Sequence, residues 1–177
     1  MIQYTAAILL LLSIQCQAQE VKPQENLDMH KFSGKWYGIV AASNCPMFLQ
    51  MKKGMTLPTV IYSVDGNVVK NKAAFKTPDG CKQMEAVFTT IANGHYTHKS
   101  VHGDNEVIII GTDYLLFAME YTKTVHEGQT CITLKLLARD TALPDEIQHK
   151  FKDFMHGMGL KDDDMAIFPK GDICVPK

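Results

Sequence analysis

The chain has 177 residues, with 18 Lys and Arg against 19 Asp and Glu, for a formal net charge of −1. That balance argues against a nucleic-acid binder and against a protein held to an acidic membrane by basic residues. The length is enough for one domain with a substantial core.

The first element is an apolar run, Thr5–Ile14. It is too short to span a bilayer and suits the hydrophobic region of a secretory signal peptide. Small residues before a cleavage point place the cut after Ala18. Residues 1–18 are therefore expected to be a signal peptide, and residues 19–177 a single secreted, extracellular domain. No later segment reaches transmembrane length, and no Asn-x-Ser/Thr sequon occurs.

Cys45, Cys81, Cys131 and Cys174 follow that cut. In an oxidising compartment they predict at least one disulfide, and four cysteines leave three full pairings open. Their spacing contains no CxxC, so no zinc site is expected.

From Phe32 onward, short apolar or alternating runs recur between turn residues. These are the Gly34-Lys35-Trp36 run, 55–64, 68–75, 81–91, 95–100, 106–112, 114–124 and 130–139. Strands at such intervals predict an all-β antiparallel barrel or sandwich. The stretch 143–159 differs, since Ile147, Phe151, Phe154, Met155 and Met158 follow helical spacing. Pro144 suits the first helical position, Asp145 and Glu146 the N-terminal dipole, and Gly157 and Gly159 the exit. His95, His98 and His102 hint at a metal, but His95 and His98 fall on opposite faces of a strand, so none is expected.

Three motifs appear in order: Gly34 and Trp36, then Thr112, Asp113 and Tyr114, then Arg139, followed by the helix and a last cysteine. On these the mature chain resembles the lipocalin family. Within it the resemblance is greatest to the group holding lipocalin 15, alpha-1-microglobulin, the gamma subunit of the eighth complement component and the prostaglandin D synthases. It implies an eight-stranded antiparallel up-and-down β-barrel with one C-terminal α-helix packed outside. The motif residues are then fold determinants, with Arg139 stacked on Trp36 at the closed end. The resemblance also implies a Cys81–Cys174 disulfide.

The last hairpin can be registered by counting from a Glu127-Gly128 turn. His126 then pairs with Gln129, Thr124 with Cys131, Thr122 with Thr133, and Glu120 with Lys135. One face carries Leu115, Phe117, Met119 and Tyr121; the other carries Leu116, Ala118, Glu120, Thr122 and Thr124. Hydropathy alone turns the first face inward. The resemblance reverses this, because in lipocalins the helix covers the outside of that strand.

The expected function is binding and carriage of a small hydrophobic ligand of the fatty acid, retinoid, steroid or pigment class, with no cofactor. Leu116 and Leu137 would line the cavity, while Lys135, Glu120, Thr122 and Thr133 orient a polar head, Lys135 anchoring a ligand carboxylate. The alternatives are an internal Glu120–Lys135 ion pair with no part in binding, or a slip of register that turns both residues outward. Met47, Phe48, Leu49, Met51 and Met55 form an adaptable rim.

Cys45 leaves three readings open. It resembles the lone mouth cysteine of thiol-active and pigment-binding relatives, which would make it a reactive thiol, and one relative uses the position to tether a partner chain. The register that brings Trp36 to Arg139 also brings Cys45 near Cys131, which permits a second disulfide. The catalytic thiol of prostaglandin D synthases lies in the second strand; here 55–64 has no cysteine, so that activity is not expected.

Overall fold

The structure is a computed structural model that describes residues 20–177. The expected signal peptide lies outside the described residues. A one-turn helix, α1 (Met29–Phe32), is capped by Asp28, whose carboxylate accepts from the backbone N–H groups of His30 and Lys31. It leads into β1 (Gly34–Ser43), which is followed at the open end by a short helix, α2 (Pro46–Met51). Seven further strands come next: β2 (Thr59–Asp65), β3 (Val68–Thr77), β4 (Gly80–Ala92), β5 (His95–Ser100), β6 (Gly103–Thr112), β7 (Phe117–His126) and β8 (Gln129–Ala138). Each pairs antiparallel with the next, and β1 pairs with both β2 and β8. The sheet closes on itself as an eight-stranded barrel, which leaves no long unpaired edge.

A bulge between Gly38 and Val40 shifts the β1–β8 register by one residue. At Gly38 a Cβ would lie 2.7 Å from Pro58 Cγ, so glycine lets the Gly38 N–H reach the Pro58 carbonyl at 2.9 Å. Gly34 has φ +98°, a conformation that calls for glycine in the first motif.

The register counted from the turn is the one in the structure, from His126↔Gln129 to Glu120↔Lys135. Glu127 and Gly128 both have positive φ, as the tightest hairpin turn requires.

Apolar side chains sort into two layers. Inside lie Phe32, Trp36, Val60, Tyr62, Val69, Phe88, Tyr96, Val107, Ile109, Ala118 and Leu137. Outside, Phe117, Met119 and Tyr121 of β7 pack with Leu134 and Leu136 of β8 beneath the helix α3 (Asp145–Gly157). The hydropathic face of β7 is therefore an outer face, apolar because a helix covers it. Phe151 and Met155 of α3 are fully buried there, and each contributes roughly 1.5–3 kcal/mol of apolar burial. Pro144 is the N-cap of α3 rather than its first helical residue.

A last short strand, β9 (Met165–Ile167), pairs with β1 at Val40–Ala42, taking the edge that β2 leaves beyond Tyr37. The tail then runs to Cys174, bonded to Cys81 at the start of β4.

Candidate functional site: the barrel interior

At the closed end the Arg139 guanidinium lies 3.7 Å from the centroid of the Trp36 ring. It donates to the carbonyls of Lys31, Phe32, Ser33, Lys35 and Tyr114. Thr112 and Asp113 hold the turn between β6 and β7. The Thr112 hydroxyl bonds the Tyr114 N–H and the Phe117 carbonyl, and the Asp113 carboxylate accepts from the N–H groups of Leu115, Leu116 and Phe117. Phe32 packs on Trp36 and Tyr62 with ring centroids 5.3 and 4.9 Å apart. The base is plugged by aromatic rings.

Above the plug is a polar cluster. Glu120, inward on β7 and only 2 % exposed, is the one charged residue buried among the described residues. Its carboxylate accepts from the Tyr62 hydroxyl, from Lys135 Nζ at 2.6 Å and from the Thr122 hydroxyl at 3.5 Å. Tyr62 stands on β2, which does not neighbour β7, so its bond to Glu120 crosses the lumen. Burial, and then the adjacent Glu120 charge, push the Tyr62 phenol well above its usual pKa, which keeps it a donor. The Lys135 side chain is 41 % exposed.

Of the residues expected to line the cavity, Glu120, Lys135, Thr122, Thr133 and Leu137 belong to one inward face of β7 and β8. Leu137 joins the inner layer beside Trp36. The Thr133 hydroxyl shares a 2.9 Å hydrogen bond with Ser43. Leu116 is a correction. It precedes β7 and packs against the outer, helix-side layer, because the Asp113 turn has not yet given the chain strand alternation there. Tyr62 is a member of the cluster that the sequence reading does not include, although its two-residue spacing from Val60 and Val64 carries the signal.

At the mouth, Cys45 is bonded to Cys131 with a Cα–Cα distance of 5.1 Å. Cys45 has left the strand and caps α2, yet it continues the β1–β8 register two residues beyond Ser43↔Thr133. The bond ties the rim helix, with its exposed Met47, Leu49 and Met51, to β8. On β2 the Thr59 hydroxyl is buried with no hydrogen-bond partner among the described residues.

His95 pairs with Glu106 at 2.8 Å, whereas the His98 ring packs edge-on against Phe88. The two diverge, as strand alternation requires. An open groove of about 600 Å³ lies outside the closed end, between Lys31, Asp113, Tyr114, Leu115 and Arg139. Arg139, which lines it, donates to five backbone carbonyls.

Among the described residues no helix is long and apolar enough to cross a membrane. The family model described as lipocalin / cytosolic fatty-acid binding protein matches residues 33–172. An olfactory protein of Lithobates pipiens is 43 % identical over 173 residues, covering 97 % of each chain. Lipocalin-15 of Homo sapiens is 31 % identical over 173 residues, covering 97 % of this chain and 94 % of its own. A solved structure of the siderocalin Ex-FABP superposes with a TM-score of 0.69 at 23 % identity, covering 83 % of this chain and 99 % of its own, a likeness of fold. With its barrel, its outer helix and its Trp36–Arg139 seal in place, the chain belongs to the lipocalin family.

Proposed function

We propose that this lipocalin is a secreted carrier that binds one small hydrophobic molecule inside the barrel, with residues 1–18 removed and residues 19–177 acting as a single domain. The observation that carries this reading is the lumen-spanning Tyr62–Glu120–Lys135 cluster above an apolar base. A site with apolar walls and a few convergent polar groups suits an apolar ligand with one polar end. Burial of the ligand's apolar surface drives binding, and Lys135, Glu120, Thr122 and Thr133 orient its polar end. Leu137 forms part of the apolar floor. The 43 % identical relative is named an olfactory protein, a name that fits small apolar cargo.

Carriage requires no catalytic group. The Cys45–Cys131 bond supports this over thiol chemistry, covalent pigment attachment or tethering to a partner, each of which needs the Cys45 sulfur free. The test is titration with the neutral fluorescent probe N-phenyl-1-naphthylamine. Saturable one-to-one binding is expected, lost when Thr122→Phe fills the lumen and kept when the exposed Val101 is changed to Asp. Binding unaffected by Thr122→Phe would place the probe elsewhere and refute the reading.

A further inference from the structure

We propose that the interior selects neutral ligands carrying one hydrogen-bond acceptor, such as a ketone or an ester, over carboxylates. This rests on the interior being the ligand site. Lys135 is the natural anchor for an anion, but its ammonium already lies 2.6 Å from the Glu120 carboxylate. The pair is electrically neutral. A ligand carboxylate added at Lys135 would bring a second negative charge up to the buried Glu120 carboxylate, a like-charge contact that one ammonium cannot neutralise.

Hydrogen-bond accounting points the same way. Lys135 has three N–H donors, and among the described residues Glu120 is its only partner, so two donors remain for a ligand acceptor. Glu120 has both oxygens engaged, by Tyr62 on one and by Lys135 and Thr122 on the other. It is thus held as a fixed counter-charge and does not turn to meet a ligand. The buried side chains of the surrounding inward faces are uncharged: Val69 on β3, Phe88 on β4, Tyr96 on β5, and Val107 and Ile109 on β6. A carbonyl oxygen satisfies the spare Lys135 donors without changing the charge of the lumen.

The experiment is isothermal titration calorimetry near neutral pH with methyl decanoate and decanoate, which share a chain and differ in head charge. The wild-type protein is expected to bind the ester at least about tenfold more tightly, a difference of about 1.4 kcal/mol. Glu120→Gln leaves Lys135 uncompensated and should reverse the order. Lys135→Met should weaken the ester by removing its donor. Should Glu120→Gln fail to fold, the wild-type comparison alone decides. Tighter binding of decanoate by the wild type would overturn the proposal and leave the carrier reading standing. Absence of binding by both ligands and by the neutral probe would overturn both.

Discussion

Tyr62 and Glu120 stand on strands that are not neighbours in the sheet, and the hydrogen bond between them crosses the lumen. The link does what neither the sheet ladder nor the outer helix can: it ties opposite walls through the interior and fixes the Glu120 carboxylate. Tyr62→Phe keeps the ring packed on Phe32 but leaves one buried carboxylate oxygen without its donor. Such a loss costs about 1–3 kcal/mol, to be read by chemical denaturation.

The same tyrosine sets an alkaline limit. Tyr62, Tyr96 and Tyr121 are all raised above the usual phenol value, in each case chiefly by burial. The unfolded chain therefore loses these protons first, at about pH 10. Their contribution is fully present below that pH and declines as pH rises above it, towards the folded values. Unfolding midpoints followed upward from neutral pH should fall beyond about pH 10. Tyr62→Phe should flatten that fall, and an unchanged slope would show that Tyr62 is not the buried phenol described.

Breaking the mouth disulfide has two expected consequences. The Cys45–Cys131 bond spans 86 residues of sequence, a long loop in the unfolded chain. Replacing Cys131 by Ser should cost about 2–5 kcal/mol of stability. It should also leave Cys45 open to alkylation, whereas native wild-type protein takes up no label. Peptide mapping under non-reducing conditions checks the pairing, and label on wild-type Cys45 would return thiol chemistry to consideration.

At the closed end, Arg139→Met removes the cation from the Trp36 face and frees five carbonyls. A loss of about 2–4 kcal/mol is expected, since hydrogen bonds to a charged donor and the ring contact are lost together. Arg139→Lys should recover less than half, because one ammonium cannot span carbonyls on α1, β1 and the β6–β7 turn. Equal stability of the Lys and Arg proteins would mean that charge alone seals the barrel.

Strand alternation and a glycine turn are enough to register β7 on β8, and so to place Glu120 opposite Lys135. Helical periodicity locates α3 in the same way. Hydropathy does not reveal which face of β7 turns inward, because Phe117, Met119 and Tyr121 are apolar for the helix that covers them. Leu116 defeats the count for a related reason: alternation does not extend back into a turn held by Asp113. The Tyr62 partner of Glu120 is hidden in the sequence because it lies 58 residues earlier on a non-adjacent strand, a contact that only barrel closure creates. The strand β9 is equally hidden, since three residues carry too little pattern.

The most direct measurement is a crystal structure with a bromine-labelled alkyl ketone, read by anomalous scattering. The carrier reading predicts a single bromine peak within the barrel, between the aromatic base and the α2 rim, with the carbonyl oxygen at Lys135 Nζ. A peak in the outer groove by Lys31 and Leu115, with an empty lumen, would contradict it.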